Sequence, residues 1–294
     1  MKKWMLGFIL LAVIISACEK DINFNLKNAD DVLVVDAMIE NEKPPVVVLT
    51  KSLDYFSRLN TGLLEDMYIH NAIITISNGV KTHKLREYTI STGWSYKSYF
   101  YSIDSSVLIT AFLGEPNTNY QMKIDVDGKI YNASTNIPPL AKKADSLWWK
   151  KAPFQEDTTK VIVMVKATDP PGLGNYVRYF TKKNSDPFWP GQNSVFDDQF
   201  IDGTTYELQV DQGVDRTKDI KADSNYFKRG DTVTLKLCNI DKASYQFWNT
   251  WEFAYQSIGN PFAQPNKVLG NIDNGALGAF YGYGATYKTL IIPK

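Results

Sequence analysis

The groups able to do chemistry in this 294-residue chain are few: two histidines (His70, His83), two cysteines (Cys18, Cys238) and 32 acids. A zinc site needs about four nitrogen or sulfur ligands. The histidines fall in a loop and a hairpin arm, without HExxH spacing or a cluster around them, and read as solvent-exposed residues of β-structure. Asp197, Asp198 and Asp202 gather around a turn and could ligate calcium together with carbonyl oxygens, but the spacing is not that of an EF-hand and the reading is a solvated turn. A carboxylate pair for glycoside hydrolysis must lie about 5–10 Å apart in a cleft, which chain spacing does not establish. There is no GxSxG elbow, P-loop or GxGxxG, so the expectation is no catalytic residue, no metal and no cofactor. The candidate ligand-binding residues are Phe188 and Trp189, held in "DPFWPG" between prolines in what reads as a loop. An exposed ring there could stack on a sugar or anchor a partner protein, unless the loop folds back onto its own sheet.

The remaining reactive group is the Cys18 thiol. It ends the apolar run "WMLGFILLAVIISAC", which follows Met1-Lys2-Lys3 and precedes the charged "EKD". A positive start, a short apolar core and small residues at its end make a secretory signal peptide, too short for a membrane span of about 20 residues. "ISAC" resembles the bacterial lipobox, whose cysteine is linked to diacylglycerol and becomes the first residue of the mature chain. Residues 1–17 are therefore expected as signal peptide and 18–31 as a lipidated tether. Glu19 stands where an aspartate commonly retains lipoproteins at the inner membrane, which favours the outer membrane, with the leaflet open. With Cys18 lipidated, Cys238 has no disulfide partner. It lies in the strand pattern "TVTLKLCNI" and reads as a small core residue.

The elements that must position these groups are mostly strands. Basic and acidic residues balance at 32 each, and loss of Lys2 and Lys3 leaves 30 against 32. No basic stripe exists to neutralise phosphates, so nucleic acid is not an expected partner. "VLVVDAMIE", "PVVVLTKS" and "YKSYFYSI" read as strands. Asn78-Gly79 and Asp127-Gly128 supply the positive backbone torsions of tight hairpin turns, and Tyr120, Met122, Ile124 and Val126 alternate onto one face. Short strands separated by turns suggest a β-sandwich up to Pro138-Pro139. Beyond them, "KVIVMVKATD", "NYVRYFTKKN" and "DTVTLKLCN" read as further strands, and "VFDDQFIDGTTYELQV" as a hairpin about Asp202-Gly203. One mature-chain helix is expected at about 242–258, with Ala243, Phe247, Trp251, Ala254 and Ile258 as its stripe, Asp241 as N-cap and Gly259 as stop. The Gly- and aromatic-rich tail reads as turns before "TYKTLII" closes a sheet.

In this order of features the chain resembles a lipoprotein family of the Bacteroidota, the domain of unknown function 4249 family. The likeness covers nearly the whole mature chain. It rests on the lipobox, "AIITISNG", "NYQMKIDVDGKIYNAST", "GDTVTLKLCNIDKASYQFW" and a tail with Asn271, Ile272, Gly275, Gly278 and Phe280 in place. The resemblance implies a mainly β fold, with an N-terminal immunoglobulin-like β-sandwich at 32–139 and a C-terminal β-rich domain with one α-helix at 140–294. It also implies an outer-membrane lipoprotein beside a TonB-dependent receptor, and it brings no established catalytic residues. The expected function is therefore that of a non-enzymatic, lipid-anchored accessory or binding component at a TonB-dependent transporter. A glycan-binding surface lipoprotein and a hydrolase with an unrecognised site are the alternatives.

Overall fold

A computed structural model describes residues 31–53, 60–91, 97–218, 225–260, 262–264 and 266–294. Cys18, the signal peptide and nearly all of the tether lie outside them. The fold is mainly β, with fifteen strands and two helices among the described residues. Eleven strands form one path in the order β11 (Trp189–Phe196), β10 (Tyr176–Lys183), β14 (Thr232–Ile240), β15 (Leu277–Ile291), β1 (Leu33–Glu40), β2 (Val46–Lys51), β5 (Lys97–Ile103), β4 (Thr82–Ser91), β3 (Ile73–Ser77), β6 (Thr118–Val126) and β7 (Lys129–Ile137). Within it β15 lies parallel to β1 on one side and antiparallel to β14 on the other. The first and last thirds of the chain thus share a sheet, and the boundary expected at 139/140 falls inside one compact unit, Asp31–Lys294.

In the first half, β1, β2 (Val46–Lys51), β3 (Ile73–Ser77), β6 (Thr118–Val126) and β7 (Lys129–Ile137) contribute to one buried cluster. Tyr120, Met122 and Ile124 are all buried there, while Val126 packs at its margin. The Asn78-Gly79 turn joins β3 to β4 (Thr82–Ser91), with Gly79 at φ 84°. Asp127 and Gly128, at φ 51° and 85°, join β6 to β7. Both turns need left-handed backbone, which is what Asn-Gly and Asp-Gly supply. His83 is not exposed as expected: it is 2% accessible. Its Nε2 accepts from the Asp104 N–H at 2.9 Å, so Nδ1 carries the proton toward Thr110 Oγ1. Burial pushes its pKa down.

A second sheet is built on β9 (Lys160–Thr168), flanked by β8 (Lys143–Lys151) on one side and by β12 (Thr205–Val210) and β13 (Phe227–Lys228) on the other. It packs on one face of the main sheet, where β10 (Tyr176–Lys183) and β14 lie side by side. The opposite face is covered by the longer helix, α2 (Lys242–Gln256). Asp241 caps it, accepting from the Ser244 N–H at 2.7 Å. Its buried stripe runs through Ser244, Phe247 and Glu252, with Trp248 and Trp251 packed beside it; Ile258, expected in the stripe, lies past the helix end and is exposed.

Four further expectations change. A short helix, α1 (Thr61–Asp66), capped by Asn60, adds to the one helix expected. Trp189 is not in a loop, since it begins β11 (Trp189–Phe196), the edge strand of the large sheet; an edge is where a strand tolerates Pro190. The turn at Asp202-Gly203 exists, but its arms do not pair: β11 joins β10 and β12 joins β9. The glycine-rich part of the tail from Leu277 to Ile291 is one continuous strand. A Cβ on Gly278 would lie 1.9 Å from the Val35 carbonyl oxygen, and one on Gly282 would lie 2.1 Å from that of Asn136. These glycines let neighbouring backbone approach. Asn271 fastens the tail, accepting from Phe280 N at 2.8 Å and donating to the carbonyls of Phe280 and Ser134.

Candidate functional site

The two sheets of the second half do not close fully. Between β9 and β12 on one wall and β10, β11 and β14 on the other lies a cleft of about 630 Å³. Its position follows from the chain path. Residues 197–204 leave the large sheet at the end of β11 and cross to the small one at β12, so the crossing forms part of the wall. Period-two alternation then decides which side chains face inward. Val177 and Tyr179 of β10, Leu235 and Leu237 of β14, and Tyr206, Leu208 and Val210 of β12 line it. Tyr179 stacks on Phe196, centroids 6.0 Å apart. Gly191 makes room for the Tyr179 hydroxyl, which a Cβ there would meet at 2.0 Å. At the mouth Phe200 is 96% exposed.

The polar groups of the lining are few. Asp197 accepts from the Tyr245 hydroxyl at 3.2 Å. Asp211 accepts from Gln209 Nε2 at 2.9 Å, and burial raises its pKa against the lowering effect of that bond. Burial pushes the Tyr206 phenol up to about 12, reinforced by the charges of Asp169 and Asp145, and burial drives the Tyr179 phenol higher still, so both hydroxyls are neutral at ordinary pH.

Beside the cleft the crossing is tied down by carboxylates. Asp198 accepts from the backbone N–H groups of Gly174 and Asn175, each at 2.8 Å, and Asp202 from Gly172 N at 2.6 Å. Asp169 pairs with Lys142, both side chains fully buried. The carboxyl oxygens of Asp169, Asp198 and Asp202 lie within 4.8 Å of one another. Sequence grouped Asp197 with Asp198 and Asp202; the fold replaces Asp197 by Asp169 and sends Asp197 to the cleft. Each member of the trio already engages a protein cation or backbone donors, so the arrangement works as a clamp on the turn.

Across the sheet a second polar group fixes α2. Glu252 accepts from Ser194 N at 2.9 Å and Oγ at 2.5 Å and from Arg216 at 3.0 Å. Arg178 bonds Ser194 Oγ at 3.0 Å and Tyr283 at 2.6 Å, with its guanidinium 3.4 Å from the centre of the Trp248 ring.

The two aromatics singled out by sequence lie outside the cleft lining. Phe188 is half-buried, edge-on to Tyr287 at 5.7 Å and with the Lys182 ammonium 5.9 Å from its centre. Trp189 is half-buried and pairs with Thr181, and its carbonyl is so close to Gly213 that a Cβ there would come within 2.1 Å. The cleft residues were missed because they come from five strands. The alternation that puts Val177 with Tyr179 and Leu235 with Leu237 on one side of their strands is legible in the sequence, but it does not say what those residues face. A family model described as domain of unknown function (DUF4249) matches residues 19–289. No curated protein matches the chain.

Proposed function

The chain belongs to the DUF4249 family, and from that premise we propose that it is a non-enzymatic, lipid-anchored binding protein of the bacterial outer membrane, acting beside a TonB-dependent transporter. The observation that carries the binding role is the inter-sheet cleft. Its volume of about 630 Å³ sits within the roughly 300–1,000 Å³ of small-molecule sites, and its apolar walls carry a few placed polar groups, as such sites do. The address is supported by Lys2, Lys3, the apolar run and "ISAC". Diacylglycerol on Cys18 supplies two chains, enough for stable anchoring at about 0.8 kcal/mol per buried methylene. The polar stretch after Cys18 then carries the compact unit clear of the bilayer, with the cleft open to solutes near a receptor.

Two experiments test this. Metabolic labelling with a palmitate analogue should mark the wild type and leave Cys18→Ser unlabelled; label surviving in the variant refutes the anchor. A mild-detergent pull-down of the tagged lipoprotein from outer membranes, read by mass spectrometry, should bring a stoichiometric TonB-dependent receptor. A lipoprotein repeatedly recovered alone refutes the transporter partnership.

A further inference from the structure

The cleft's charge says what it holds. Among the described residues its lining has two carboxylates, Asp197 and Asp211, and no lysine, arginine or histidine. Neither carboxylate has an ion-pair partner among the described residues; Asp197 has only the Tyr245 hydroxyl and Asp211 only the Gln209 amide. Two cations that act on the cleft's tyrosines are already paired. Lys142, 6.0 Å from the centre of the Tyr206 ring, is paired with Asp169. Arg216, whose charge acts on Tyr179, is paired with Glu252 at 3.0 Å. The same walls present the rings of Tyr179, Phe196, Phe200 and Tyr206.

We propose that this cleft binds a small apolar molecule bearing a protonated amine, with the ammonium at Asp211 and the apolar body against the aromatic walls. The inference rests on the reading that the cleft is the ligand site. An ammonium meets both features at once, since it pairs with a carboxylate and is attracted to aromatic faces. A neutral ligand of the same shape would cover Asp211 and leave it without a counter-charge, which a desolvated carboxylate tolerates poorly. An anion would add repulsion from two acids. The burial that raises the Asp211 pKa is the same desolvation that strengthens a direct ion pair with an ammonium.

The test uses the full lipoprotein in detergent, with detergent alone as blank, and three probes sharing one body: 4-phenylbutylamine, 4-phenylbutan-1-ol and 4-phenylbutanoate. Affinities are read by saturation-transfer NMR titration. The amine should bind at least tenfold more tightly than the alcohol, and the acid should bind weakest. Asp211→Asn, close in shape to the wild type, should bring the amine within threefold of the alcohol while the alcohol changes less than twofold. Leu208→Lys, which puts a cation into the wall, should abolish amine binding; thermal melts check that both variants fold. Equal binding of amine and alcohol by the wild type overturns the amine assignment and leaves the cleft standing as a site. Amine binding that survives both substitutions overturns it by placing the probe elsewhere. No binding of any probe overturns both the assignment and the cleft reading.

Discussion

Glu40→Gln should be the most damaging near-isosteric change in this protein. Glu40 ends β1, is 2% exposed, and accepts from three donors. Lys236 Nζ of β14 lies 2.5 Å from its Oε2, Tyr287 Oη of β15 lies 2.5 Å from its Oε1, and Lys43 Nζ approaches that same oxygen at 2.7 Å. The pair therefore cross-links three neighbouring strands of the large sheet. Glutamine keeps one acceptor oxygen and no charge: with its nitrogen in place of Oε2 it loses the Lys236 bond, and in place of Oε1 it loses those of Tyr287 and Lys43. Either way Lys236, 5.0 Å from the Phe180 ring, loses its counter-ion, and stripping one partner from a buried ion pair costs roughly 3–5 kcal/mol. At about 2–4 °C per kcal/mol for a chain of this size, the melting midpoint should drop by roughly 6–20 °C. The double variant Glu40→Gln/Lys236→Met should regain much of the loss, because it removes the orphaned charge, giving a coupling of about 2 kcal/mol in a double-mutant cycle. The pH dependence has a definite sign. Burial alone would raise the Glu40 pKa, but the charge of Lys236 and the bonds from Lys236, Lys43 and Tyr287 bring it below the ordinary 4.5. A depressed carboxyl contributes stability that is whole above the unfolded-state value and is lost as pH falls through the folded value. Urea unfolding followed by tryptophan fluorescence, stepped downward from pH 7, should show that acid-side loss in the wild type and a shallower one in Glu40→Gln. A single-variant loss under about 1 kcal/mol at pH 7, or strictly additive double-variant losses, would refute the reasoning.

Three further outcomes are expected. Gly278→Ala, at φ 93° with the Val35 carbonyl in the way of its Cβ, should cost about 3 kcal/mol or more by separating β1 from β15; Gly79→Ala, at φ 84° with nothing within 4 Å, should cost only about 1 kcal/mol, and similar urea midpoints for the two would contradict this. Asp241→Ala should cost about 2 kcal/mol by denaturation, the upper end for a cap, because its other oxygen also accepts from Thr135 at 3.1 Å and Asn136 N at 3.2 Å. Cys238 is fully buried, with its thiol pushed up to about 12 by burial, so it should resist a disulfide reagent at pH 8 until urea unfolds the protein; rapid native-state labelling would contradict the burial.

What sequence disclosed was local physics. Asn78-Gly79 and Asp127-Gly128 specify their turns by backbone torsion alone, and Asp241 specifies a helix start because a carboxylate three residues before Ser244 meets an N–H that has no other partner. Where tertiary context outweighed local preference, the reading failed. Gly278 and Gly282 argue against a strand by propensity, yet they sit in an interior strand because neighbouring carbonyls press against it. α1 buries none of its residues, so it has no apolar stripe to find. Pro190 and Gly191 suggested a loop, and only the edge position of β11, which no local pattern encodes, makes them admissible in a strand.

The same distinction explains why the candidate site was hidden. Asp202-Gly203 was legible as a turn, and a turn between two strand-like runs is ordinarily a hairpin. Here its arms enter different sheets: β11 pairs with the strand just before it, β10, while β12 pairs with β9. The crossing holds because Asp198 and Asp202 bind the backbone at 172–175. A hairpin at this point would have extended one sheet and closed the gap. The crossing instead leaves the gap open, with Asp197 and Phe200 on its wall and Asp211 following at the end of β12. The acids that sequence weighed as a calcium site thus work as the clamp that shapes the cleft. The carboxylate left over from that cluster, Asp197, belongs to the wall of the cleft.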